Sequence, residues 1–540
     1  MDSARINQDK PECPATCGQQ PVRKHTRLKW LSVVTGLAAL AWFLVRVIPK
    51  PSRAAYPCQR AAAPLASGFV IWIVGLVSAK ALYRRAKLLS QRSPYALAAV
   101  GAALAILAVW LPLGVTSDAN AQEAFAPADP HNQPMGEAKG IHPGRVVWVH
   151  EPDATSWDGK TGNWWDDANT DRRLVDAMVS GALRSLTGRE TDQQAWDALF
   201  RHFNQTRNLG NTGYRVGEKV AIKINSNQDR PPGWGTGRGM PSPHVVCALL
   251  AQLINVVGVR GEDITIYDAA RYIGDPMYDK VRANSDPNFQ AVKFVVSPKM
   301  AGSGRLAADW DKATPVHFAQ PGVPTAYLPQ CVTEAKYLIN LALLRAHTLF
   351  GVTLTAKNHF GSTYFPDNGG WTPAPLHGSG SRSRPMGSYN CLVDLIGHRH
   401  LGGKTLLYML DGLYPAKHQE GNVIRFLSFG DDWASSLFMS QDPVAIDSVG
   451  LDFLRNEPRA TRVRGTPDNY LHEAALAGKP PSGTVYDPEQ DNKPLTSLGV
   501  HEHWNNPTDK QYSRNLGKGE GIELVAWKVS SKGQVKTAPR

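Results

Sequence analysis

Chemically capable residues recur at the ends of apolar runs between positions 340 and 454. YLINLALL stops at Arg345-Ala346-His347, and FGVTLTA stops at Lys357-Asn358-His359. CLVDLIG stops at His398-Arg399-His400, KTLLYML stops at Asp411-Gly412, and Gln441-Asp442-Pro443 opens the run VAIDSVGLDFL. A lysine such as Lys357 can hold a phosphate or carboxylate as a point charge, or act as a base when burial lowers its pKa. Asn358 can donate to a developing oxyanion. His347 and His359 flank that pair at the two ends of an expected strand-loop-strand. In extended chain, His398 and His400 point to one face and can share a metal, with Asp411 as a further ligand or base. Bland readings stand beside these: a solvated His-Arg-His turn, and an aspartate capping a turn at Asp411. Asp442 before Pro443 has the pattern of a helix N-cap, and Asp447 falls one turn later.

Upstream, Lys223 and Asn225 alternate with Ala221, Ile222 and Ile224, so both reach one side near a strand end. Asp268 ends the following apolar run and becomes a neighbour of Lys223 if the two strands are parallel. These three are the expected ligand-binding residues.

The elements that would position these groups read as an α/β domain. RVVWVH at 145–150 is a strand pattern, and amphipathic helices follow near 172–186 and 192–204. KVAIKIN, then a helix over 243–257 capped by Ser242, then DITIYD, make a βαβ unit, and KFVVS at 293–297 adds a strand. Strand-helix-strand order predicts a mostly parallel sheet with helices on both faces, and ligands bind at the carboxyl ends of such strands. The Gly- and Pro-rich loop 229–240 reads as a lid or ligand loop, and 362–386 as a functional or mobile loop.

Residues 1–117 differ in kind. They hold apolar runs at 30–48, 65–77 and 95–115, with the second extending as far as 82 on its longer reading. Spanning hydrocarbon takes about 20 helical residues, so about three transmembrane helices are expected. This part carries 15 Lys+Arg against 3 Asp+Glu, which accounts for the whole chain's net +12 and leaves residues 118–540 neutral. A neutral globular part has no electrostatic excess to offer phosphates, so a nucleic-acid partner is disfavoured. Basic residues crowd the N-terminal tail and the loop 80–92, which places both in the cytoplasm. With three spans, the rest then lies on the outer side of the cytoplasmic membrane. Arg84-Arg85 before the third run and Ala119-Asn120-Ala121 after it also allow a cleaved export signal, with the same outcome. The expected organisation is a membrane anchor at 1–117, a linker at 118–142, the α/β domain at 143–460, and a C-terminal extension at 461–540 packed on it.

The six cysteines (Cys13, Cys17, Cys58, Cys247, Cys331 and Cys391) form no C-x-x-C pair. A zinc ribbon or an iron–sulfur cluster needs closely spaced thiolates, so both are disfavoured. No Walker loop, G-x-S-x-G elbow, H-E-x-x-H or dinucleotide fingerprint occurs.

The segments KVAIKIN, SPHVVCALLAQLINVVG…ITIYDA, YLINLALLRAH, GVTLTAKNHFG and SQDPVAIDSVGLDFL together resemble the family called domain of unknown function 362, over roughly 145–455. In that family a "K-x-N" strand, a "K-x-H" strand end, a "T-x-x-x-KN-x-FG" segment and a "D-x-VA-x-D" helix start recur. Here Arg345 stands where relatives often have lysine. Some relatives carry a fused ferredoxin-type cluster, but this chain lacks that cysteine module. The resemblance implies fold and site position, and no activity.

Two functions fit these readings. One is a membrane-anchored extracytoplasmic enzyme acting on an anionic small molecule, with His347, Lys357, Asn358 and His359 catalytic and a divalent metal on Asp411, His398 and His400. The other is a non-catalytic accessory or binding protein of a membrane redox or export system. In both, the partner of residues 1–117 is the lipid bilayer.

Overall fold

The computed structural model describes residues 129–540 except 228, 230–233, 236, 367–372, 380–383, 462, 530–535 and 538–540. The three apolar N-terminal runs lie outside the described residues. Among the described residues no helix is long and apolar enough to cross a membrane.

An eleven-stranded sheet organises the rest. Its strands are β1 (Arg145–His150), β2 (Val220–Ile224), β3 (Ile264–Asp268), β4 (Lys293–Val296), β5 (Leu306–Ala307), β6 (Tyr337–His347), β7 (Gly351–Thr353), β8 (Thr405–Ala416), β9 (Ser436–Ser440), β10 (Glu523–Lys528) and β11 (Lys536–Thr537). Across the sheet they run β11-β10-β1-β9-β8-β6-β2-β3-β4-β5, with β7 paired to β6. From β8 to β5 every neighbouring pair is parallel. β9 runs antiparallel between β8 and β1, and β10 joins β1 in parallel. The sheet is therefore mostly parallel, with β9 inserted antiparallel near one side and the short strands β7 and β11 antiparallel to β6 and β10.

Helices cover both faces, which is why the central strands β2, β6 and β8 are buried along their whole length and largely apolar. On one face lie α1 (Arg172–Thr187), α2 (Asp192–Thr206) and α3 (Pro243–Ala251), packed over Val147, Ile222, Ile266, Ile339 and Met409. On the other lie α4 (Cys391–Gly397), α5 (Pro443–Arg455) and α6 (Asn469–Ala475), over Ala221, Leu338, Leu410 and Phe438. Strand alternation assigns neighbours such as Ala221 and Ile222 to opposite cores. Helix starts follow the capping residues. Asp171, Thr191, Ser242, Asn390 and Asp442 each accept backbone N–H groups, and Pro243 and Pro443 occupy first helical positions.

Three of the polar-ended apolar runs are not simple strands that stop at their polar residues. CLVDLIG forms helix α4 rather than a strand, because Asn390 caps it and its apolar face packs into the second core. FGVTLTA is strand only to Thr353, and residues Thr355–Asn358 turn into one helical turn. Asp411 does not end its strand, because β8 continues through Gly412 to Ala416.

Candidate functional site

The parallel strands β2, β3 and β6 end on one edge, and the polar residues collect there. Register places Lys223 of β2 beside Asn340 of β6 and Tyr267 of β3. The Lys223 ammonium lies 3.2 Å from Asp268 Oδ2 and donates to Asn358 Oδ1 at 3.1 Å and to the Ile224 carbonyl. Burial lowers the Lys223 pKa, and the Asp268 carboxylate opposes that shift. Asp268 also accepts the Ser226 N–H at 2.9 Å. Gly361 packs against this pair: a Cβ there would lie 2.3 Å from Asp268 Oδ1 and 2.7 Å from the Lys223 ammonium. That closeness explains a glycine in the NHFG stretch.

The turn carrying Lys357 and Asn358 is held from the opposite core. Asp447, one turn into α5, accepts the Thr355 N–H (2.8 Å) and hydroxyl (2.7 Å) through one oxygen, and the Ala356 N–H (3.0 Å) through the other. This capping carboxylate supplies the reason why a β-rich sequence turns helical at Thr355. Asn358 Nδ2 donates to Asn340 Oδ1 at 2.8 Å, which fixes its carbonyl oxygen toward Lys223.

These elements line a small pocket that is partly open to solvent. Its wall includes Asn225, Asp268, Arg271, His347, Lys357 and His377. The Lys357 ammonium sits 3.7 Å from the Phe360 ring centre and 4.6 Å from that of Phe350. Among the described residues it makes no ion pair, and burial brings its pKa down to about 7. His347 Nδ1 accepts the Leu349 and Phe350 N–H groups at 3.0 and 3.3 Å, so its proton resides on Nε2. Burial, then the Lys357 charge, hold His347 neutral. Arg345, buried beneath, donates to Asn225 Oδ1 at 2.5 Å and to the Gly239 carbonyl at 2.9 Å, tying the loop 229–240 to the strand end.

Residues 220–452 match the family model described as Domain of unknown function (DUF362). No curated protein matches the chain. Every pocket residue named above lies within the DUF362 span.

Among the expected site residues, the pocket wall gathers His347, Lys357, Asn358, Asn225 and Asp268, with Lys223 one layer behind. His359 is fully buried off the pocket wall, where Asn340 Nδ2 donates to its Nε2 at 3.1 Å. The expected metal set is not brought together. His398 and His400 precede β8, whereas Asp411 is its seventh residue, about 20 Å of extended chain from the strand's start. Both ring nitrogens of His398 are engaged, Nδ1 by the His400 N–H (3.1 Å) and Nε2 by the Pro315 carbonyl (3.2 Å). Asp411 instead accepts the Ser242 and Leu413 N–H groups at 2.7 and 3.1 Å. Asp442 caps α5, as its spacing before Pro443 suggested.

Sequence reasoning missed Arg271, His377 and Asn340. Asn340 left a signal, a lone amide inside an apolar run. Arg271 stands in irregular chain and His377 in a short 3-10 helix, and only the fold brings them to the strand ends.

Proposed function

We propose that this domain is an enzyme acting on a small anionic molecule, bound at the carboxyl edge of the parallel strands. One observation carries the reading: the Lys357 ammonium, enclosed by two aromatic rings, faces the pocket and makes no ion pair with a carboxylate among the described residues. A buried cation without a counter-ion is costly, and an anionic ligand would supply the missing charge. Arg271 on the same wall adds a second positive group, and the His347 Nε2 proton a neutral donor. A lysine with a pKa near 7 can also take up or release a proton at neutral pH, which suits general acid–base work. The apolar runs and loop charges of residues 1–117 support an anchor in the cytoplasmic membrane that carries the domain outside it.

The test uses the full chain in detergent and two probes, inorganic phosphate and succinate, followed by calorimetry and thermal unfolding. At least one probe should bind the parent protein, and Lys357→Met should weaken that binding tenfold or more. No binding of either anion, or equal affinity in a folded Lys357→Met, would overturn the proposal.

A further inference from the structure

A second cluster of chemistry-bearing side chains lies outside the DUF362 span. Asp129, Asp468, His501 and His503 bring one ligand atom each to within 4.8 Å of one another. His472, on α6, reaches the same point. The three Nε2 atoms of His472, His501 and His503 stand 2.5, 3.3 and 3.8 Å from Asp129 Oδ2. His503 Nε2 also lies 3.2 Å from Asp468 Oδ1.

The hydrogen-bond network fixes which nitrogens carry protons. The Ser448 hydroxyl donates to the Val444 carbonyl at 2.7 Å, so at 2.8 Å it accepts from His501 Nδ1–H. His503 Nδ1 donates to Asp452 Oδ1 at 2.5 Å. In the neutral rings, then, His501 and His503 both turn Nε2 lone pairs toward the carboxylates of Asp129 and Asp468. A proton on Nε2 can bridge each of these contacts, as between His503 and the Asp468 carboxylate, and a metal ion binding here would take that proton's place. A carboxylate or hydroxyl on the far nitrogen is also the usual outer support of a metal-bound imidazole.

Dimensions and charge agree. Two imidazoles bound tetrahedrally to one zinc at about 2.0–2.1 Å have ring centres roughly 5 Å apart. The observed separations are 5.2 Å for His472 with His501, and 4.9 Å for His501 with His503. Asp129, Asp452 and Asp468 carry three negative charges, and Arg455, paired with Asp468 at 2.6 Å, returns one positive charge. With the imidazoles neutral, as metal binding requires, the surplus of two negative charges matches a divalent ion.

We propose that Asp129, His501 and His503, with His472 and Asp468 completing the shell, bind one divalent transition metal of the zinc class. The site joins the segment before β1, which supplies Asp129, to the C-terminal extension, which supplies the other four ligands. With protein groups filling the shell it is a structural clasp. It shares no residue with the Lys357 pocket, so it stands or falls independently of the function proposed there.

The full-length protein, stripped with a chelator and dialysed, is titrated with Zn²⁺ and separately with Co²⁺. The expected result is one equivalent of either ion, a visible d–d spectrum for Co²⁺ stronger than that of the hexa-aqua ion, and a higher Tm with Zn²⁺. Asp129→Asn, at the rim of the cluster, and His501→Gln should each weaken Zn²⁺ binding at least tenfold. Asp452→Asn, which alters the support of the far nitrogen of His503 while Asn still accepts from the Trp504 N–H and the Tyr512 hydroxyl, should weaken it 10- to 100-fold. Circular dichroism verifies folding of each variant. Failure of the parent protein to take up one equivalent, or parent-like affinity in folded Asp129→Asn, would overturn the assignment.

Discussion

Lys223 and Asp268 meet at 3.2 Å across two adjacent parallel strands, both almost wholly shielded from water. Removing one partner of such a pair leaves a buried charge, at a cost of about 3–5 kcal/mol. Asp268→Asn should therefore lower stability by that amount. The double variant Lys223→Met/Asp268→Asn should lose clearly less than the two single variants added together. Urea unfolding of all three measures the coupling, and strict additivity would refute it.

Lys357 should give the domain a pH signature. Its folded pKa is about 7, against an ordinary 10.5, so between those values the unfolded chain binds the extra proton. Stability contributed by this group therefore rises with pH from about 7 to about 10.5, by at most about 1.4 kcal/mol per unit, and is flat below 7. Thermal unfolding across that window should show a steeper rise in the parent protein than in Lys357→Met. Parallel profiles would contradict the burial of this ammonium.

Ligand binding should depend on pH in the opposite sense. An anion recognises the charged form of Lys357, which is lost as pH rises through about 7. Phosphate or succinate affinity should fall by up to about tenfold per unit above that point. Calorimetry at pH 6, 7, 8 and 9 measures it, and affinity that stays level would remove Lys357 from the binding site.

Asp447 offers a test of positioning. Asp447→Ala strands the buried N–H groups of Thr355 and Ala356, at a cost of about 1–3 kcal/mol for each. Because these bonds hold the turn bearing Lys357 and Asn358, anion affinity should fall along with stability. A variant that is less stable yet binds as tightly as the parent would assign Asp447 to stability alone.

The proposed anchor makes a topology prediction. An alkaline phosphatase reporter fused near residue 140 should be active, and one fused within the loop 80–92 inactive. The reverse pattern would place the domain in the cytoplasm.

What could be read from the sequence followed the strength of local signals. Caps before apolar runs, at Ser242 and Asp442, located helices because capping is decided within a few residues. The Lys223–Asp268 pairing was legible because strand-helix-strand order dictates parallel neighbours. Local pattern failed where distant groups decide: Thr355 turns helical because Asp447 lies 92 positions away. CLVDLIG is equally apolar as helix or strand, and its length could not settle which. His359 matched its neighbours in type but points into packing, because a helical turn sends adjacent side chains in different directions. The His–Asp cluster joins residues 339 to 374 positions from Asp129, and 461–540 shows only weak periodicity.

The seating of β9 between β8 and β1, with β10 on the far side of β1, bears on how this protein can be handled. A fragment trimmed to the DUF362 borders, 220–452, would keep β9 but remove both strands that shelter its outer side. It would present a row of unpaired backbone groups on an apolar strand, an invitation to edge-to-edge aggregation. The family's borders in sequence are not the borders of a folding unit, and expression trials should begin before Arg145 and continue past Lys528.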